Sequence, residues 1–226
     1  MSNGAVIQAG RRACLQAAAG TVLLGSAAWR PAWAGKQAEE PLIDSVRTAL
    51  SASIANSAPP KPSFARIEDR LAYLRWLGAM GDKLKPRKAE RQTRIEFLET
   101  LWYESKRASL QPELVLGLVQ VESGFRKYAI SVAGARGYMQ VMPFWARLIG
   151  DGDPTRLFHM QTNLRFGCVI LRHYLEREQG DLYMALGRYN GSRGRPEYPN
   201  AVLGARKQWL IAPEPADKPA SAPSKA

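Results

Sequence analysis

PELVLGLVQVESGF, Pro112 to Phe125, places one carboxylate at the end of an apolar run. Val115, Leu118, Val119 and Glu122 fall at i, i+3, i+4 and i+7, so Glu122 shares the helical face that is aimed at a core. Pro112 suits a first helical position. Ser123-Gly124 supplies the stop, which puts Glu122 in the last turn. Two effects there disfavour a charged carboxylate: loss of water, and the partial negative charge of the helix C-terminus. Both keep Glu122 protonated near neutral pH, the state a general acid needs. The competing reading is an exposed Glu122, or one paired with Arg126 a turn on.

The helical period extends in both directions. Ile67, Leu71, Leu74 and Leu77 repeat at 4-3-3 spacing, and Ile95, Leu98, Leu101 and Trp102 continue the pattern beyond Pro86. Pro86 separates the two helices. NLRFGCVILRHYLER (163–177) and DLYMALGRYN (181–190) read as two more, the second with Asp181 as its N-cap. Strand-like alternation is nearly absent and no internal repeat is present. The expected fold is mainly α: a short helical extension over 64–89, then a helical domain over 90–210. Residues 35–63, including SASIANSAPPKPS, read as a linker, because paired prolines and small polar residues sustain no helix. Residues 211–226 are dense in Pro, Ala and Ser and read as a disordered tail.

Residues 1–34 read as an export signal. Arg11-Arg12 precede a small, apolar run, and AWA precedes Gly35, which is a twin-arginine-like pattern. An uncleaved membrane anchor is the alternative, although the run is short and rich in Ala and Gly for a spanning helix. Cleavage leaves 192 residues in which Cys168 is the only cysteine, so no intrachain disulfide can form. Cys168 shares a stripe with Leu164, Leu171 and Leu175 and reads as a buried thiol. The formal charge is +12, or +9 without the three signal arginines. That excess favours anionic partners. For an exported chain it argues for an acidic cell-wall polymer and against nucleic acid, with no stable membrane insertion once the signal is removed.

Two later strings carry chemistry. In SVAGARGYMQVMPFWA (131–146), Gly134 and Gly137 permit positive φ, Tyr138, Met139 and Met142 offer apolar surface, and Gln140 offers donor and acceptor. Sugars are bound by such mixtures. RYNGS (188–192) closes the last of these helices with Tyr189 and Asn190.

Taken in order, ESGF, SVAGARGYMQVMP, NLRFGCVILRHYL and ALGRYNGS resemble the catalytic domain of soluble lytic transglycosylases over about residues 90–209. The resemblance implies a lysozyme-like fold related to goose-type lysozyme. It implies cleavage of the β-1,4 bond between N-acetylmuramic acid and N-acetylglucosamine in peptidoglycan strands, giving 1,6-anhydro products in the periplasm of a Gram-negative bacterium. No metal or cofactor is implied. The family's single catalytic carboxylate matches Glu122, and its substrate-binding positions match Ser131, Gln140, Tyr189 and Asn190. Asn163, Gly167 and Leu171 match a framework motif. The chain departs from the family where Tyr138 replaces Leu, Arg188 replaces Ala and Gly191-Ser192 replaces Ala-Gly. Tyr198, in the loosely matching RPEYPNAV, is the candidate for the family's final aromatic. A hydrolysing muramidase and a non-catalytic peptidoglycan-binding module are the alternatives.

A hydrolase would want a second carboxylate across from Glu122. Asp151 and Asp153 are nearest in sequence and read as loop or cap residues. A calcium loop starting at Asp151 fails, because Thr162 stands where a bidentate Glu belongs. His159 and His173 lack metal-ligand spacing and read as surface residues.

Overall fold

The computed structural model describes residues 62–149 and 152–211. The export signal, the linker up to Lys61, Asp151 and the tail from residue 212 lie outside the described residues. Within them the chain forms α1 (Ile67–Leu84), α2 (Arg91–Arg107), α3 (Pro112–Ser123), α4 (Pro143–Ile149), α5 (Met160–Arg177), α6 (Leu182–Asn190) and α7 (Glu197–Trp209). A 3-10 turn covers Pro154–Phe158. Two isolated bridges, Ile130 with Arg136 and Arg136 with Val141, are all the β-pairing among the described residues. The mainly α expectation holds.

The boundaries have local causes. Glu90 caps α2, its carboxylate accepting from the N–H groups of Gln92 and Thr93. Asp181 caps α6, accepting from Met184 N at 3.0 Å. Gly124, at φ +56°, takes the left-handed conformation that ends α3.

α3 is the central helix, with Leu114, Val115, Leu116, Leu118 and Val119 all buried. α7 crosses it at Gly117, where a Cβ would lie 2.7 Å from the backbone N of Arg206 and 3.0 Å from the carbonyl of Val202. Glycine therefore sets how closely the two helices approach. No helix is read there from the sequence, although Pro199 is compatible with one. The proline falls in the first turn of α7, whose N–H groups have no intrahelical acceptors anyway. Tyr198, Val202, Ala205 and Trp209 form the buried face of α7. The short α4 also goes unread in the sequence.

The extension departs from expectation in its orientation. Ile67, Leu71 and Leu74 are 59%, 46% and 49% exposed, while Tyr73, Trp76, Met80 and Leu84 are buried. α1 is apolar on two faces, and the one with the larger aromatic side chains removes more surface from water. Trp76 Nε1 donates to Glu113 Oε1 at 2.8 Å, and Lys83 Nζ donates to the carbonyls of Gln208 and Leu210 at 3.0 and 2.7 Å. α1 thus buttresses both α3 and the end of α7.

α2 and α5 are joined in the core by Glu104 and Arg165. The arginine Nε donates to both carboxylate oxygens at 3.0 Å, and Gln161 Nε2 adds a bond at 3.2 Å. Cys168 is buried as expected, and burial pushes its thiol pKa up. His173 is a correction: it is buried, not on the surface. It follows Phe166 and Ile170 on the core face of α5, a spacing masked by the arginines around it.

Candidate active site

Glu122 ends α3 at 1% exposure. Burial pushes its pKa up to about 8, and a hydrogen bond from Tyr198 pulls weakly the other way. Arg126 does not pair with it: the Arg126 Nε donates to the Ser123 carbonyl at 2.9 Å. The partner is Tyr198, in the first turn of α7, whose hydroxyl donates to Glu122 Oε1 at 2.5 Å. Burial first, and then Glu122, hold the Tyr198 pKa well above its ordinary value, so the phenol remains a donor. The other oxygen, Oε2, is buried with no hydrogen-bond partner among the described residues. With Oε1 occupied, Oε2 is the atom left to carry the proton. Among the described residues no carboxyl group is hydrogen-bonded to Glu122. Asp153 instead caps the 3-10 turn, accepting from Thr155 N at 2.8 Å, and the Thr155 contacts hold its carboxyl below the usual range.

The loop after α3 is fastened to α3, α5 and α6. Ser123 Oγ donates to the Tyr138 carbonyl at 2.7 Å, and Tyr189 Oη donates to the Met139 carbonyl at 2.8 Å. Asn163 Oδ1 accepts from Met139 N, and its Nδ2 donates to the Arg136 and Leu157 carbonyls, all at 2.8 Å. Gly137 sits at φ +75° with the Leu157 carbonyl 2.6 Å from where a Cβ would stand, so only glycine fits. Met139 lies over Gly167, which leaves no room for a side chain there. The framework motif of α5 is the seat of this loop.

The expected binding residues divide into two groups. Tyr138 and Met139 are closed off: Tyr138 packs on Phe97 with ring centroids 4.8 Å apart, and its hydroxyl accepts from Lys88 Nζ at 2.8 Å. Gln140, at φ +49°, spends its amide N–H groups on the Ala129 and Gly137 carbonyls at 3.2 and 2.9 Å. Tyr189 is also buried. These four shape the loop from within. Ser131 and Met142 are partly exposed, and Ser131 Oγ accepts from Ala135 N at 3.1 Å. Asn190 is 6% exposed, with Nδ2 donating to Ser192 Oγ at 3.0 Å and Oδ1 buried without a partner. Buried polar atoms are seldom left unpaired, and each exception calls for an explanation, a catalytic role among them. Glu122 Oε2 and Asn190 Oδ1 are two such atoms. Tyr198 matched the sequence motif only loosely, and its buried phenol on Glu122 marks it as part of the site.

The chain is similar in sequence to known proteins. The transglycosylase SLT domain family matches residues 100–211. A membrane-bound lytic murein transglycosylase C of Actinobacillus pleuropneumoniae is 35% identical over 114 residues, which cover 44% of this chain and 31% of that protein. A transglycosylase of Enterobacteria phage PRD1 is 34% identical over 104 residues, 46% of this chain and 38% of that one. A crystal structure of an inactive mutant of lytic transglycosylase Slt from Pseudomonas aeruginosa aligns at TM-score 0.41 and 22% identity, over 62% of this chain and 27% of that one. The chain spans about a third of the length of these two relatives from A. pleuropneumoniae and PRD1. Residues 100–211 form a transglycosylase SLT domain, and the chain belongs to the lytic transglycosylase catalytic-domain family.

Proposed function

We propose that the domain cleaves the β-1,4 linkage between N-acetylmuramic acid and N-acetylglucosamine in peptidoglycan strands without adding water. The observation that carries this reading is a buried carboxylic acid, Glu122, protonated near neutrality and with Oε2 unpartnered among the described residues. Glu122 Oε2 gives its proton to the glycosidic oxygen, a poor leaving group until protonated. The resulting carboxylate takes the proton of the muramoyl C6 hydroxyl, whose oxygen attacks the anomeric carbon of its own ring. The C1–O4 bond breaks, a 1,6-anhydro ring forms, and Glu122 is again protonated. The nucleophile belongs to the substrate, so its effective concentration is high and no second carboxylate is needed. Ser131, Met142 and Asn190 would contact the glycan directly, over a floor shaped by Tyr138, Met139, Gln140 and Tyr189. The signal-like residues 1–34 support export to the periplasm, where such strands lie.

Mass analysis of digested peptidoglycan tests the reaction. Anhydromuropeptides are expected, whereas products heavier by one water would make the domain a hydrolysing muramidase. Binding without soluble product would make it a wall-binding module.

Tyr198→Phe tests the site. Its hydroxyl is a pKa-lowering influence on Glu122, so removing it raises that pKa further. The acid form is required, so activity is lost as pH rises through the Glu122 pKa. In Tyr198→Phe this alkaline limb moves to higher pH, and turnover falls about tenfold as the acid loses its anchor. A pH–rate profile identical to wild type would contradict the assignment.

A further inference from the structure

Arg188 stands where the family resemblance places alanine, two residues before Asn190, and Arg193 lies in the turn that leads from α6 to α7. Both end on one carboxylate. Glu178 follows the last residue of α5, and its Oε1 accepts from Arg188 Nε at 2.6 Å and from Arg193 Nε at 2.8 Å. Its Oε2 accepts from Arg193 Nη2 at 3.0 Å. The Glu178 side chain is only 7% exposed, beneath an Arg193 that is 51% exposed. Arg193 first, and then Arg188, hold the Glu178 pKa down to about 2, so the clamp is fully charged at any working pH.

What the clamp holds bears on the acid. The Arg193 Cα lies 3.1 Å from where a Cβ on Gly187 would stand, and Ser192 N donates to the Gly187 carbonyl at 2.7 Å, which presses the turn against α6. Asn190 Nδ2 reaches Ser192 Oγ in the same turn. Five residues after Arg193 comes Tyr198, whose hydroxyl meets Glu122. An arginine in place of alanine at 188 thus adds no free cation beside the acid, because its guanidinium is committed to Glu178.

We propose that Glu178 is a positioning residue: through Arg193 and Arg188 it fixes the turn between α6 and α7, and with it the placement of Tyr198 against Glu122. Tyr198 from α7 is the ionisable group touching Glu122, and Tyr189 from α6 lies next to Tyr198. Loosening the turn weakens the Tyr198 bond and acts on Glu122 as removal of the phenol does. This inference rests on the transglycosylase reading for its kinetic arm and not for its titration arm.

The experiment compares wild type with Glu178→Gln, Arg193→Gln, Tyr198→Phe and the Glu178→Gln/Tyr198→Phe double variant. Peptidoglycan turnover across pH is measured, together with the Glu122 carboxyl titration by carbon NMR. Glu178→Gln is expected to lower kcat about fivefold with little change in KM, to move the alkaline limb upward, and to raise the Glu122 titration midpoint. The double variant is expected to be no slower than Tyr198→Phe alone, since both changes act through one bond. Arg193→Gln, at a half-exposed site, carries the same test if Glu178→Gln fails to fold. A Glu122 midpoint equal to wild type in the folded variant overturns the proposal, even if its Tm falls. A wild type that releases no anhydro product defeats the transglycosylase reading instead, and the titration still decides the clamp.

Discussion

Glu122→Gln is expected to lower turnover by about 10²- to 10⁴-fold, the range of a lost general acid, while making the protein more stable in alkaline buffer. The folded-state pKa is about 8, against an ordinary value of 4.5 in the unfolded chain. Between those values the folded chain holds a proton that the unfolded chain has released. Stability therefore falls as pH rises from the lower value and levels off above the upper one. Glutamine has no proton to lose and escapes that penalty, which reaches on the order of 3 to 5 kcal/mol at pH 9. Thermal melts of both proteins at pH 5 and pH 9, beside the product assay, check the pair of effects. A variant that gains nothing at pH 9 would mean that Glu122 is ionised and solvated, and the acid role would fail with it.

Arg165→Met is expected to cost about 3 to 5 kcal/mol and to lower Tm by about 10 °C, because it strands a buried charge. Glu104 is 1% exposed and Arg165 4%, with a further contact of 2.9 Å from Arg165 Nη2 to Oε1. Once the guanidinium is gone, Gln161 supplies one bond at 3.2 Å, and Arg107 approaches only to 4.0 Å from a partly exposed position. Neither compensates for a carboxylate taken out of water. Adding Glu104→Leu removes the stranded charge, and the double variant should recover most of the loss. Denaturant melts of the single and double variants measure this. A double variant as unstable as Arg165→Met would show that the cost lies in packing and not in charge.

Much of the fold was legible because its causes are local. The period of α3, the stop at Gly124, the cap at Asp181 and the break at Pro86 each depend on residues within a turn or two of one another. The position of Glu122 on an apolar face followed from the same period, and its raised pKa follows from that position. α7 was not read from the sequence, and its Pro199 is tolerated because it falls in the first turn, where N–H groups need no intrahelical acceptor. The exposed Ile67, Leu71 and Leu74 show a similar gap: helical spacing proves a face exists, and only the packing partner decides which face is buried.

From the sequence alone came a mainly helical chain, one misplaced acid and an ordered set of motifs around it. Tertiary structure decided which oxygen of that acid is free. The phenol that occupies the other lies 76 residues away, and it arrives only because Gly117 lets α7 lie close against α3. It also decided that Tyr138 and Met139 face inward and that Arg188 is bound to Glu178. The physical reason is one of range. Backbone periodicity and capping are set by neighbours in the chain, whereas proton affinity and side-chain direction are set by whatever the folded chain brings within a few ångströms.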